Sequence, residues 1–243
     1  MDPDKENIAK DLHNAGYQTA VFGKWHLKKR PSGFDDFKVL PGHGVYHNPT
    51  YLSKDNWNDK EEAGTPYEGY VDDITTTMSL DWLKSRNPDK PFFLMCHYKA
   101  THEPFDFAER FKDYYKDVEF PYPPTFLDSG AITTGRSFEG QPLEELGRRY
   151  EQASVGPFWT PYPELPFSTK GMDPLEARKK IYQKFLKDYL RCVAGIDDNL
   201  GKIMRYLTAA NLDENTVVIL ASDQGYFLGE HNFMDKRLMY EES

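Results

Sequence analysis

Lysine and histidine side chains lie just after two apolar runs of this sequence. Lys24 and His26 follow the run at residues 19–22, and His102 follows the run at residues 92–96. A lysine ammonium group is a compact positive charge suited to the oxygen atoms of a sulfate or phosphate group. A histidine near neutral pH donates a hydrogen bond or transfers a proton. Together these residue types indicate a site for an oxyanion.

A third apolar run, at residues 217–220, is followed by a different set of polar residues. Asp223 and Gln224 come soon after it, and Lys236 follows later in the chain. Carboxylate and amide oxygens are ligands for a hard cation such as calcium or magnesium. Because calcium takes about 6–8 oxygen ligands, other residues must complete any such site.

The three apolar runs are predicted to be buried strands, and predicted helices alternate with them along the chain. The long third helix has Asp173 as its expected N-cap and Pro174 at its first position. The helices are expected at about residues 6–14, 70–86 and 173–210, the last as one long helix or two joined helices. In open α/β sheets, ligands bind beyond the carboxyl ends of the strands. The sequence therefore predicts an α/β sheet with helices on both faces and the polar residues at one edge.

Two long segments show little regular periodicity. Residues 31–66 are rich in Gly, Pro, Asn and aromatic residues and are predicted to be a loop, in which His43 and His47 are solvated. Residues 105–170 contain many prolines and are predicted to form a variable surface excursion, which in a compact domain is usually functional or flexible. Short helices of this excursion are expected near residues 107–115 and 143–152.

Composition excludes several classes of protein. The 243 residues are 39% apolar and 15% aromatic, which is enough for a hydrophobic core. The net charge of −9 disfavours a nucleic-acid binder. No apolar stretch approaches the roughly 18 residues of a membrane span, and residues 1–5 show no signal peptide. Only Cys96 and Cys192 are present, which excludes a disulfide scaffold and a cysteine-rich zinc site.

Each candidate residue also has an ordinary structural interpretation. Most lysines are exposed, so Lys24 alone would be a surface side chain. Asp223 and Gln224 could form a turn, and Lys236 could belong to a solvated charged run. The position of all these residues after predicted strands favours the functional interpretation.

Several segments resemble type I sulfatases. Residues 15–19 (AGYQT) and 23–27 (GKWHL) resemble a signature of that family, and residues 91–94 (PFFL) with 102–104 (HEP) resemble its strand and sulfate-contacting histidine. Its late metal and substrate segment is similar to residues 222–225 (SDQG), 228–231 (LGEH) and 236–243. The resemblance covers residues 6–48, 70–104 and 178–243.

The resemblance implies an alkaline-phosphatase-like fold, a mixed sheet flanked by helices on both faces and incomplete at both ends. It implies a sulfuric ester hydrolase that releases sulfate from a sulfated carbohydrate. The nucleophile of that family is a formylglycine, made by a formylglycine-generating or sulfatase-maturing enzyme, and its cofactor is Ca²⁺, with Mg²⁺ as an alternative. The family also implies a periplasmic, secreted or lysosomal location.

Roles for individual residues follow from the same resemblance. Lys24, His102 and Lys236 match residues that hold the sulfate oxygens. His26 matches the histidine that orients the formylglycine hydroxyl. The metal ligands are matched by Asp223 and by Gln224, where the family often has asparagine.

The chain departs from the family at two points. Neither Cys96 nor Cys192 begins the Cys-x-Pro-x-Arg motif of the nucleophile, and no serine begins the corresponding pattern. The family's early pair of metal-binding aspartates has no match in the expected order. Residues 1–243 are therefore expected to be the central part of a sulfatase catalytic domain and to be inactive alone.

Two other functions remain open from the sequence. A phosphomonoester or phosphonate hydrolase of the same superfamily would use the same lysines and histidines, because phosphate and sulfate are both tetrahedral oxyanions. A non-catalytic protein that binds anions or glycans would account for the missing nucleophile.

Overall fold

A computed structural model describes residues 5–60, 64–128, 141–152 and 161–242. The chain divides into two compact units. The first comprises Met1–His102 and Val193–Thr216, and the second comprises Glu103–Cys192 and Val217–Ser243. Residues 1–4, the parts of the predicted excursion at 129–140 and 153–160, and Ser243 lie outside the described residues.

The first unit is built around a mixed five-stranded sheet. Its strands are β1 (Gln18–Lys24), β2 (Asp36–Leu40), β3 (Thr50–Ser53), β4 (Thr65–Pro66) and β5 (Phe92–His97). Their order across the sheet is β4-β3-β2-β1-β5. Strand β1 runs parallel to both β2 and β5, whereas β3 is antiparallel to β2 and to β4. The carboxyl ends of β1, β2 and β5 therefore lie at one edge of the sheet.

Strand β1 lies inside the sheet, between β2 and β5, and its residues are small or apolar on both faces. Thr19, Ala20, Val21 and Phe22 are all buried. Val21 packs in one core cluster whose other fully buried members come from β2 and β3, namely Phe37, Val39 and Leu52. Burial of these side chains provides the main favourable free energy for forming this unit.

Two helices of the first unit flank strands β1–β4 along the chain: one precedes β1, and the other lies between β4 and β5. Helix α1 (Ile8–Asn14) starts where the Asn7 side chain accepts a hydrogen bond from the Lys10 amide at 3.1 Å. It ends before Gly16, whose φ of 92° lies in the left-handed region. Helix α2 (Val71–Ser85) buries one face, including Thr75, Met78 and Leu83.

The second unit is mainly helical and aromatic. Helix α3 (Leu143–Glu151) lies entirely in this unit, as does the first part of helix α4 (Pro174–Ala209). Asp173 accepts a hydrogen bond from the Leu175 amide at 2.9 Å, which confirms it as the N-cap of α4. Strands β6 (Phe227–Leu228) and β7 (Met234–Asp235) form a short antiparallel pair.

The predicted mixed α/β architecture and the positions of α1, α2, α3, α4, β1 and β5 are confirmed. Residues 31–66 are not all loop, because they contain β2, β3 and β4. Phe37 and Val39 alternate with polar neighbours as a half-buried strand does, but glycines and prolines on both sides mask that pattern. Among the described strands, β5 pairs only with β1, and it is only partly buried.

Two other local predictions are wrong. Residues 217–220 are not in a strand, and Val217, Ile219 and Leu220 are exposed by 87%, 83% and 70%. An apolar, β-branched run has the propensity for a strand, but a strand needs a neighbour to take its backbone hydrogen bonds, and no described strand pairs with this run. Residues 107–115 form only a single 3₁₀ turn, Glu109–Phe111, rather than a helix. Within the described ranges, no helix has the length and apolar character needed to cross a membrane.

Candidate active site

Gly23 brings the carboxyl ends of β1 and β5 close together. Its φ is 102°, and a Cβ atom at this position would lie 1.9 Å from the His97 carbonyl oxygen. Only glycine allows this approach. On the other side of the same contact, His97 Nδ1 lies 3.0 Å from the Lys24 carbonyl oxygen. The backbone around Lys24 is therefore held against the end of β5.

Three imidazoles gather at this edge, and we call His26, His43 and His102 the histidine cluster. The ring centroids of His26 and His43 are 3.9 Å apart, and those of His43 and His102 are 4.8 Å apart. His26 has a φ of 50°, which is uncommon for a residue other than glycine. All three side chains are partly buried. Backbone in a sparsely populated conformation persists where the surroundings fix it, and such positions often belong to functional sites.

Asp72 fixes the chain that leads from β5 to His102. This carboxyl group is 1% exposed, and its oxygens accept the backbone amides of Lys99 at 2.8 Å and of Ala100 at 3.2 Å. Burial raises the pKa of Asp72 to about 6, although the two amide hydrogen bonds and the nearby Lys99 charge favour the ionised form. The Asp72 carboxyl group therefore fixes the backbone of the segment that precedes His102.

Lys99 and Tyr46 connect the backbones that carry two of the imidazoles. Lys99 is 3% exposed, and its Nζ donates to the His43 carbonyl oxygen at 3.1 Å. The same Nζ lies 4.6 Å from the centre of the Tyr46 ring, a cation–π contact. The Tyr46 hydroxyl donates to the His102 carbonyl oxygen. These contacts join the turn after β2 to the segment after β5.

The remaining predicted site residues, Asp223, Gln224 and Lys236, belong to the second unit. Asp223 and Gln224 are exposed in a bend, where the Ser222 hydroxyl donates to the Gln224 carbonyl oxygen at 2.7 Å. Lys236 is half-buried after β7. Among the residues described, no group of three or more His, Cys, Asp or Glu side chains could hold a metal ion. The two oxygen donors of Asp223 and Gln224 suit a hard cation in type but not in number.

The segment after His102 is anchored within the second unit. Both carboxylate oxygens of Glu103 accept a hydrogen bond from the same guanidinium nitrogen of Arg149, at 3.0 and 3.1 Å. The Tyr162 hydroxyl also donates to Glu103. Since the Arg149 and Glu103 side chains are only 19% and 14% exposed, this ion pair is shielded from solvent.

The first unit therefore places Lys24, His26 and His102 at one sheet edge, as the sequence predicted for strand ends. The sequence prediction that His43 is a solvated loop residue is wrong, because its ring lies between two other imidazoles. His43 was missed because β2 was missed. Lys99 had a usable signal, since it follows the end of β5 by two residues, whereas nothing local indicates the burial of Asp72 or the bond from Tyr46.

The arrangement in the first unit suits an anionic ester. Ammonium and imidazole N–H groups donate hydrogen bonds to tetrahedral oxyanions, and bonds involving a charged donor are stronger than neutral ones. An imidazole at the same edge can also take or give a proton. The chemistry that fits is transfer of a sulfuryl or phosphoryl group.

Comparison with known proteins separates these possibilities at the level of family. The family model for sulfatases matches residues 2–242. An N-acetylglucosamine-6-O-sulfatase of Bacteroides thetaiotaomicron is 30% identical, over 98% of this chain and 47% of that protein. An N-acetylglucosamine-6-sulfatase of Bos taurus is 24% identical, over 93% of this chain and 37% of that protein.

A solved structure agrees with these relatives. A protein in complex with its substrate, D-glucosamine-2-N,6-O-disulfate, has a TM-score of 0.84 and 28% identity, and the match covers 100% of this chain and 54% of that one. The present chain thus spans about half the length of that protein and about half the length of the Bacteroides thetaiotaomicron sulfatase. The family match over nearly all residues, the shared fold and the strand-end lysine and histidines agree, and the chain belongs to the sulfatase family.

Proposed function

We propose that the protein containing this chain is a sulfuric ester hydrolase that releases sulfate from a sulfated carbohydrate, with 6-O-sulfated glucosamine as the substrate class. The observation that carries the proposal is the histidine cluster at the sheet edge where β1 ends with Lys24, in a sulfatase-family chain. The substrate class is supported by the relatives and by the substrate-bound neighbour, which concern sulfated glucosamine.

The proposed roles of the site residues follow from the charges and protons that their side chains carry. Lys24 and His102 donate hydrogen bonds to the ester oxygens and so offset the negative charge of the transferring group. The imidazole of His26 orients the reacting hydroxyl and moves a proton at one of its ring nitrogens. Lys236 is proposed as a sulfate-binding residue on its sequence motif alone.

Asp223 and Gln224 are proposed as metal ligands for Ca²⁺, with Mg²⁺ as the alternative. Their carboxylate and amide oxygens are the donor type that both cations prefer. A bound cation supplies positive charge that stabilises the ester oxygens. The family's formylglycine supplies the covalent nucleophile, and a formylglycine-generating or sulfatase-maturing enzyme is the proposed partner that makes it.

Selectivity between sulfate and phosphate esters tests the proposal. We expect the full-length protein to release sulfate from 6-O-sulfated glucosamine and from an aryl sulfate, with kcat/KM well above that for the matched aryl phosphate. Chelation should abolish turnover, and added calcium should restore it. A preference for the phosphate ester would indicate the phosphomonoester alternative. Binding of the sulfated sugar without sulfate release would indicate a non-catalytic carbohydrate-binding protein.

A further inference from the structure

We propose that His43 is a positioning residue of the sulfate site, which sets the ring orientations of His26 and His102. This inference rests on the proposed function, because it assigns a role within the same site. Neither the family resemblance nor any local motif of the sequence assigns a role to His43. Its position in the structure does, for three reasons that concern its backbone, its ring and its support.

The backbone places His43 at the edge where the reacting group is expected. Strand β2 ends at Leu40, and a tight turn follows, closed by the Gly44 amide, which donates to the Pro41 carbonyl oxygen at 2.9 Å. Gly42 and Gly44 have φ values of 52° and 64°, in the left-handed region. A Cβ atom on Gly44 would lie 2.8 Å from the Leu40 side chain. The glycines on both sides of His43 thus allow the tight turn that places it beyond the carboxyl end of β2.

The ring of His43 lies between the rings of the two histidines assigned to chemistry. Its centroid is 3.9 Å from that of His26 and 4.8 Å from that of His102, and both ring pairs are tilted by 49°. Contacts this close leave each neighbour little freedom to rotate towards the space that the His43 ring occupies. Removing the ring would therefore release both neighbours at once.

Buried side chains support His43 and His102 jointly. Lys99 donates to the carbonyl oxygen of His43, and Tyr46, which lies against the same ammonium group, donates to the carbonyl oxygen of His102. Lys99 is 3% exposed and Tyr46 is fully buried. A buried lysine that donates to the carbonyl group of His43 is unusual for a solvated loop residue. The same lysine contacts Tyr46, which donates to His102. The support fixes the two residues relative to each other.

The role predicts which substitutions of His43 are tolerated. His43→Ala in the full-length protein should lower kcat by about 10- to 100-fold with a smaller change in KM, because misplacement of reacting groups by about 1 Å costs rate on this scale. His43→Phe, which keeps a flat ring, should stay within about 3-fold of wild type, as expected when packing and not proton transfer is the role. His47→Ala is the matched control, since this histidine is exposed on the same connection.

A double substitution and a binding measurement complete the test. If His43 acts through His102, His43→Ala should cost much less in a His102→Ala background than in wild type. The affinity for inorganic sulfate, measured by calorimetry, should fall in His43→Ala and not in His47→Ala. Wild-type kinetics and sulfate affinity in His43→Ala, or additive effects with His102→Ala, would overturn the inference. A wild-type protein that cleaves no sulfate ester would contradict the proposed function instead, and the calorimetry would still decide the role of His43.

Discussion

Asp72 and Lys99 are buried charges that act on the histidine cluster without belonging to it. Asp72 holds the backbone at residues 99 and 100, and the Lys99 ammonium group holds the carbonyl oxygen of His43. Burying a charge is unfavourable unless it is hydrogen-bonded or paired. Both residues satisfy that requirement by hydrogen bonds to backbone groups next to the histidine cluster. These hydrogen bonds fix the backbone positions of the candidate site.

The raised pKa of Asp72 predicts a stability that depends on pH. Burial raises its pKa to about 6 in the folded protein, whereas an unfolded aspartate has a pKa of about 4. Between these values the folded state binds more protons, so the contribution of this group to stability falls as the pH rises. We expect the free energy of unfolding of wild type minus that of Asp72→Asn to fall by about 2 kcal/mol from pH 4 to pH 7.

Urea denaturation of the full-length protein at several pH values measures this difference. Asp81→Asn is the matched control, because Asp81 is exposed on the same helix, α2. For Asp81→Asn the difference from wild type should change much less over this pH range than the difference for Asp72→Asn. A difference for Asp72→Asn that is constant or rises with pH would show that burial does not control this carboxyl group.

At the scale of elements, the site depends on how closely β1 and β5 approach. Gly23 pairs with His97 across the two parallel strands, and its missing side chain leaves room for the His97 carbonyl oxygen. The same approach allows His97 to contact the carbonyl oxygen of Lys24. One glycine therefore sets both the sheet edge and the position of the lysine.

Gly23→Ala is expected to destabilise the protein strongly. The new Cβ atom would lie 1.9 Å from the His97 carbonyl oxygen, at a φ of 102°. Backbone strain and overpacking together should cost about 3–5 kcal/mol. Gly16→Ala is the matched control, since Gly16 has a φ of 92° with no atom within 4 Å of the new Cβ, and it should cost only about 1–2 kcal/mol. Equal losses for the two variants in urea denaturation would contradict this account of the β1–β5 contact.

Strand prediction shows what local sequence can and cannot provide. The run at residues 19–22 predicted β1 correctly because a strand covered on both faces is apolar throughout. The equally apolar run at 217–220 is not a strand, since pairing is decided by neighbours and not by propensity. β2 was hidden by glycines and prolines around a five-residue strand.

The same limit applies to the residues of the site. Lys24, His26 and His102 could be proposed from the sequence because they follow predicted strands and match motifs. His43 required β2 to be known, and the roles of Asp72 and Tyr46 depend on contacts between residues far apart in the chain. Local patterns predict which residues carry chemistry better than which residues hold them in place.

Across the whole molecule, the net charge is negative, whereas lysine and histidine residues gather at one edge of the first unit. The chain carries 39 acidic and 30 basic residues, for a net charge of −9, yet the carboxyl edge of the first unit holds two lysines and three imidazoles. Interactions between exposed charges are screened beyond about 8–10 Å in physiological salt. We therefore expect any affinity of this edge for an anionic ester to depend on short-range hydrogen bonds rather than on the net charge of the chain.

The most direct test of the central claim is the steady-state hydrolysis of N-acetylglucosamine-6-O-sulfate by the full-length protein and its site variants. If the carboxyl edge of β1 and β5 binds the reacting ester, Lys24→Ala and His102→Ala should each lower kcat/KM by at least about 100-fold, with His47→Ala unchanged. Wild-type values of kcat/KM for both Lys24→Ala and His102→Ala would contradict the account.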